Sequence, residues 1–274
     1  MSAKKPTSLG IILFEGYQPL DVWGPLELFS SMSATEDIEL SIISHKTGLV
    51  SSKAPEPQPG ENWPSEGLGL RIGPEVMATH TFADAPPLDI LLVPGGVGTR
   101  AMAERGDRAV ADFVAARYPQ LQHLLTVCTG AALAAEAGVL DGRRATSNKA
   151  AWSWVTGRHR DVDWVPSARW VRDGNVWTSS GVAAGIDMVY AFLEHYYADK
   201  RAEVQSMMNR IEYAPHTDPD WDPFSIVHNE DKLTEVVPSR FPGQTTASPC
   251  TTVSGRLDSG LHQPLSGWGE RKGS

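Results

Sequence analysis

Residues 124–133 read Leu124-Leu125-Thr126-Val127-Cys128-Thr129-Gly130-Ala131-Ala132-Leu133, an apolar strand that runs into a cysteine, then a glycine, then small residues suited to a tightly packed helix. Such a strand-turn-helix step is the repeating unit of an open α/β sheet, so this stretch decides the fold as well as the chemistry. It holds a thiol at the tip of the turn, over unpaired helix N–H groups and the positive end of the helix dipole. A cysteine in such a place is expected to have its pKa pulled from about 8.5 to roughly 3.5 to 7.5, which makes Cys128 a nucleophile at neutral pH. The competing reading is a buried cysteine that acts only as a small hydrophobe.

Working outward, short aliphatic and β-branched runs alternate with longer helical patterns, as in a largely parallel sheet with crossover helices. Strands are expected at 9–14, 38–44, 90–93 and 124–127, and helices at 21–29, 109–118 and 129–137. Residues 169–172 and 176–178 flank Asp173-Gly174, a tight antiparallel hairpin. Helical periodicity from 185 to 197 and on to 210 closes the fold. Two segments stand apart: residues 55–64, too rich in proline for a helix or inner strand and read as an insertion loop, and the polar tail from 229, read as disordered. The folded domain is expected to span 8–228.

Composition narrows the function classes. A chain of 274 residues can bury a sizeable core, and a net charge of −9 disfavours nucleic acid and anionic membranes as partners. No run approaches the roughly 18 apolar residues of a membrane span. With two cysteines, the second being Cys250 in the tail, a disulfide framework is not supported and a reducing cytoplasm fits best.

Two further segments end strands near the same sheet edge, where open α/β sheets bind ligands. In Phe14-Glu15-Gly16-Tyr17-Gln18-Pro19-Leu20-Asp21-Val22-Trp23-Gly24-Pro25, Asp21 either caps a helix or offers a carboxyl to the cysteine's edge. In Leu91-Leu92-Val93-Pro94-Gly95-Gly96-Val97-Gly98, a buried strand breaks into a glycine loop whose N–H groups can approach a ligand closely; neither the Walker spacing nor a dinucleotide fingerprint is present. Trp23, Trp152 and Trp154 near these segments suggest either core packing or an apolar wall that accepts an aromatic substrate.

Together the three segments resemble the DJ-1/PfpI superfamily and, within it, the isonitrile hydratase-like branch. The resemblance rests on Leu20-Asp21 with Gly24-Pro25, on Val93-Pro94-Gly95-Gly96, on Val127-Cys128-Thr129-Gly130-Ala131, on residues 138–146, and on Gly181-Val182-Ala183-Ala184-Gly185-Ile186-Asp187. It covers roughly residues 8 to 228, and Asp218-Pro219-Asp220-Trp221-Asp222-Pro223-Phe224 looks like fungal members.

The resemblance implies a flavodoxin-like three-layer sandwich with a mostly parallel sheet and a nucleophile-elbow cysteine, usually as a homodimer. It implies Cys128 as nucleophile, Asp21 as the acid that hydrogen-bonds the sulfur, and the backbone N–H groups of Gly96 and Thr129 facing the reacting group, with the Thr129 hydroxyl as a further donor. Many superfamily members carry a histidine after this segment, where Ala145-Thr146-Ser147-Asn148-Lys149 has Asn148; an asparagine cannot act as general base, which disfavours acyl transfer by a Cys-His pair. The eight histidines show no paired spacing, so neither a catalytic metal nor another cofactor is expected. Hydration of an isocyanide needs a nucleophile and a carboxyl acid/base but no histidine. The alternatives are a glyoxalase-type or other cysteine-dependent activity of the superfamily, and a redox-sensing or chaperone-like protein without turnover.

Overall fold

The computed structural model describes residues 5–61 and 72–228. The expected disordered tail from 229, with Cys250, and residues 62–64 of the proline-rich loop lie outside the described residues. Ahead of that gap, 52–61 form an irregular connection.

A seven-stranded sheet forms the middle layer. Its strands are β1 (Ser8–Ile12), β2 (Glu39–Ser44), β5 (His80–Thr81), β6 (Ile90–Val93), β7 (His123–Val127), β10 (Trp170–Asp173) and β11 (Val176–Ser179), in the order β10-β11-β7-β6-β1-β2-β5. All pairings are parallel except the β10/β11 hairpin, where Asp173 faces Val176 across a two-residue Gly174-Asn175 turn with Gly174 at φ 62°. The turn therefore falls one residue later than Asp173-Gly174. A two-stranded ribbon, β3 (Gly48–Ser51) with β4 (Glu75–Ala78), and a short pair, β8 (Arg144–Ala145) with β9 (Asp163–Trp164), stand beside the main sheet.

Strands β6, β7 and β11 are buried along their whole length, which explains the unbroken apolar run of β6 and the lack of polar alternation in Leu124–Leu125 and Val176–Trp177: a parallel sheet covered on both faces has no solvent side to alternate toward. On one face, α1 (Pro19–Met32), α6 (Ala184–Tyr196) and α7 (Arg201–Arg210) pack together; on the other, α2 (Gly98–Arg105), α3 (Ala109–Arg117) and α4 (Gly130–Glu136) do. The last helical stretch is not continuous, because a short 3₁₀ turn at Ala198–Lys200 separates α6 from α7. Short helices α5 (Trp152–Arg158) and α8 (Pro223–Val227) complete the described chain. The architecture is the α/β flavodoxin-like sandwich. Among the described residues, no helix is long and apolar enough to cross a membrane.

Register brings the site together. Val93 pairs with Thr126, and Thr126 with Thr178, so the loops that leave β6, β7 and β11 emerge side by side at one sheet edge. The turn after β1 joins them through Gln18 N–H to the Gly95 carbonyl at 2.8 Å and Gly98 N–H to the Gly16 carbonyl at 3.0 Å.

Candidate active site

Cys128 lies between β7 and α4 with φ 59°, a left-handed conformation that a non-glycine side chain adopts only at a cost of about 1–3 kcal/mol. Its N–H donates to the Ser180 carbonyl at 3.0 Å, and its carbonyl accepts the Ser147 hydroxyl at 2.8 Å, so both neighbouring loops hold the strained turn. Cys128 is 7% exposed, inside the apolar core but at its rim.

Asp21 is fully buried and lies in the first turn of α1. It does not cap that helix: the N-cap residue is Gln18, and the Asp21 Oδ2 accepts the Gly95 N–H at 2.8 Å from another loop. Oδ1 makes no well-formed hydrogen bond, and the side chain that the carboxyl meets is the Cys128 thiol. Pro25 sits inside the same helix and lacks an N–H, so the Asp21 carbonyl loses its intrahelical partner four residues on. Gly24 keeps α1 close to α6: a Cβ there would stand 2.6 Å from Ile186 Cγ1.

Gly95 is required by close approach. A Cβ on it would lie 2.5 Å from the Thr129 N and 3.0 Å from the Cys128 Cβ, well inside van der Waals contact. The Gly95 N–H serves Asp21, and the Gly96 N–H donates to Thr129 Oγ1 at 3.0 Å. This corrects the expectation for Gly96: its N–H is engaged by the threonine hydroxyl and does not face the reacting group. Thr129 Oγ1 lies 3.1 Å from the Thr99 hydroxyl, and its own proton has the Gly96 carbonyl at 3.4 Å, long for such a bond, and the Cys128 sulfur as acceptors.

The sulfur is met by the N–H of Thr129, which was expected to face the reacting group, and by the N–H of Val182. Val182 has φ 33° and precedes α6, so two left-handed residues on neighbouring strand-to-helix turns converge on one atom. The segment Gly181-Val182-Ala183-Ala184-Gly185 repeats the strand, turn and small-residue helix pattern around Cys128; that repetition is the signal that could have marked Val182.

Electrostatics correct the expected thiolate. Burial, followed by the charge of Asp21, pushes the Cys128 thiol above the ordinary cysteine value, and the hydrogen bonds from Thr129 and Val182 only partly oppose it. Burial also raises Asp21 to about 7, against the Gly95 and Cys128 hydrogen bonds that pull it down. The helix N-terminus is present, but it acts on a group withdrawn from water beside a carboxyl. The pair therefore titrates as a unit, holding two protons below about pH 7 and one above it, rather than presenting a free thiolate.

Asn148 accepts the Ala151 N–H at 2.9 Å and so starts the turn before α5. Its neighbours form a buried polar network: Lys149 Nζ donates to Thr146 Oγ1 at 2.7 Å and the Ala168 carbonyl at 2.8 Å, and Arg169 Nε donates to Asp187 Oδ2 at 2.7 Å. Asp187 Oδ1 also accepts the Tyr213 hydroxyl at 2.7 Å and the His216 N–H at 2.9 Å, which ties the segment after α7 to the back of α6. Trp152 is core, edge-on to Trp164, whereas Trp154 is half-buried with guanidinium groups over its ring. Among the described residues, no cluster of three or more His, Cys, Asp or Glu side chains could hold a metal ion.

A doubly covered, mostly parallel sheet whose interior strand β7 delivers a strained cysteine to a helix N-terminus, beside a buried carboxyl, defines a flavodoxin-like α/β protein. The chain belongs to the DJ-1/PfpI family, whose sequence pattern its residues 8–195 match. It is 29% identical to the isonitrile hydratase of Pseudomonas putida over 214 residues, 76% of this chain and 78% of that protein. Its fold is similar to that of a ThiJ/PfpI family protein from Pseudomonas syringae (TM-score 0.60, 23% identity, 84% of this chain and 85% of the other). An AraC family transcriptional regulator from Pseudomonas putida shares it as well (TM-score 0.58, 18% identity, 75% and 100%), so the fold alone does not choose an activity.

Proposed function

We propose that the protein hydrates an isocyanide to an N-substituted formamide, with Cys128 as nucleophile, Asp21 as acid/base and Thr129 as hydrogen-bond donor to the sulfur. The observation that carries this reading is the buried Asp21 carboxyl, fixed at one oxygen by Gly95 and meeting the Cys128 thiol with the rest of the group. The likeness to an isonitrile hydratase over most of both chains supports it.

The proton that Asp21 and Cys128 share does the first step. As sulfur attacks the terminal carbon of R–N≡C, the thiol proton passes to the Asp21 carboxylate and from there to that carbon, giving the thioimidate Cys–S–CH=N–R. Placing the proton on a carboxyl with a pKa near 7 suits it to both roles at neutral pH. Water then adds across the C=N bond, its oxygen to carbon and a proton to nitrogen, with Asp21 relaying the proton. Collapse of the resulting hemithioaminal forms the C=O bond, breaks the C–S bond and returns the hydroxyl proton to the pair. The sum is R–N≡C plus water to R–NH–CHO, so water is the only co-reactant.

The Thr129 and Val182 N–H groups are already directed at the sulfur and stabilise the negative charge that develops there as it enters and leaves the reaction. No histidine takes part: Asn148, at the position where a His would be expected, is committed to its turn. The test is incubation with a simple isocyanide and detection of the formamide by mass spectrometry. Turnover that disappears in Cys128→Ser supports the proposal, and no turnover, or turnover undiminished in that variant, overturns it.

A further inference from the structure

Arg100 lies in the first turn of α2, one residue after Thr99, whose hydroxyl contacts Thr129. Its guanidinium is 4.9 Å from the ring centre of Trp154 in α5, and Trp154 in turn packs on the small cluster formed by Ala132 of α4 with Ala151 and Val155. The contact joins α2 to α5 beside the helix that the reactive cysteine precedes. Arg158 approaches the Trp154 ring as well, at 5.7 Å, so the tryptophan is a platform for cations rather than a bare apolar wall.

Arg100 is half-buried, and among the described residues its guanidinium has no hydrogen bond and no carboxylate partner. The buried cations near the site are committed, Arg169 to Asp187 and Asp222, and Lys149 to Thr146 and the Ala168 carbonyl, while Arg158 on the same ring is exposed. A guanidinium held by a ring but without an anion is unusual, since buried or half-buried charge is normally paired. Burial lowers the Arg100 guanidinium from its ordinary value, and the charge interaction with Cys128 works against that, so the two groups are within electrostatic reach.

We infer that Arg100, positioned by Trp154, receives a carboxylate carried by the substrate, so that the preferred isocyanide is an isocyano-carboxylate rather than a neutral alkyl or aryl isocyanide. This rests on the hydration reading above. The five N–H donors of a guanidinium match a carboxylate in two-pronged fashion, and the group lies within electrostatic reach of the sulfur, where it would hold the far end of a short substrate while Cys128 attacks the isocyanide carbon. The aromatic substrate that the tryptophans suggested gives way to an anionic one.

The first experiment compares isocyanoacetate with its uncharged methyl ester in wild type, Arg100→Gln and Arg100→Lys. The ratio of kcat/KM for acid over ester is expected to exceed one in wild type, to fall by at least about tenfold in Arg100→Gln, as loss of a charged hydrogen bond implies, and to fall less in Arg100→Lys. A wild-type preference for the ester, or an equal ratio in Arg100→Gln, overturns the inference.

A second measurement does not depend on hydration. Iodoacetate and iodoacetamide alkylate the same sulfur and differ in charge, so the ratio of their rates on the Cys128 peptide, relative to a small free thiol, reads an anion-receiving group directly. Arg100 is expected to favour iodoacetate and Arg100→Gln to abolish that preference. If no isocyanide is turned over, the proposed function fails while this ratio still decides for or against Arg100.

Discussion

The Asp21 carboxyl meets the Cys128 thiol from a helix more than a hundred residues earlier in the chain, and the loop that fixes its other oxygen, at Gly95, is the same loop that comes within van der Waals contact of Thr129. One backbone segment thus sets both the acid and the turn that carries the nucleophile. A shift of either is transmitted to the other, which makes the pair a rigid proton-sharing unit.

The pair carries the proposed chemistry when it holds one proton. Below about pH 7 Asp21 is protonated as well as the thiol, and the base is lost. We expect kcat/KM for isocyanide hydration to rise as pH increases through about 7 and then level off. In Asp21→Asn the rise should vanish and the rate drop by about 10² to 10⁴, the usual span for an essential acid/base. A steady-state pH profile on both proteins checks this.

Stability should move the other way. The folded state raises Asp21 from 3.8 to about 7, so it binds a proton that the unfolded chain has released. The associated stability is fully present below about pH 4 and is lost as pH rises through 7, at most about 4 kcal/mol in all. Asp21→Asn lacks this loss, and denaturant unfolding should find it more stable than wild type at pH 8 by a margin that shrinks toward pH 4.

Gly95→Ala should impair both fold and function. The added methyl would press on the Thr129 nitrogen and the Cys128 Cβ, and relief would pull the Gly95 N–H away from Asp21. A loss of about 1–3 kcal/mol, typical of overpacking, together with a fall in kcat is expected; thermal unfolding and the isocyanide assay measure the two effects.

The network behind α6 should prove structural. Asp187 is fully buried and answers Arg169, Tyr213 and His216 at once. Asp187→Ala would take away the nearer partner of a buried guanidinium and leave Arg169 with Asp222 alone, at 3.6 Å, and a destabilisation of about 3 kcal/mol, the lower end for a broken buried pair, follows. Limited proteolysis should then cut near 213–222 at concentrations that spare the wild type.

Strand-turn-helix order, the apolar runs of β6 and β7, and the placement of Cys128, Asp21 and Thr129 at strand ends were legible in the sequence, because periodicity and small residues at turns are local properties of the chain. The amino-acid order by itself therefore determined the α/β class and the cysteine turn, whereas it left Asp21 open between a helix cap and a partner of the cysteine, which only the resemblance and then the tertiary contacts decided. The sign of the Cys128 shift was decided only by the tertiary structure, since desolvation sums over every element packed around a group and here outweighs the helix N-terminus. The same holds for the capture of the Gly96 N–H by Thr129, the Val182 donor and the meeting of Arg100 with Trp154. Each depends on segments far apart in the chain coming within a few ångströms, a relation that no local pattern encodes.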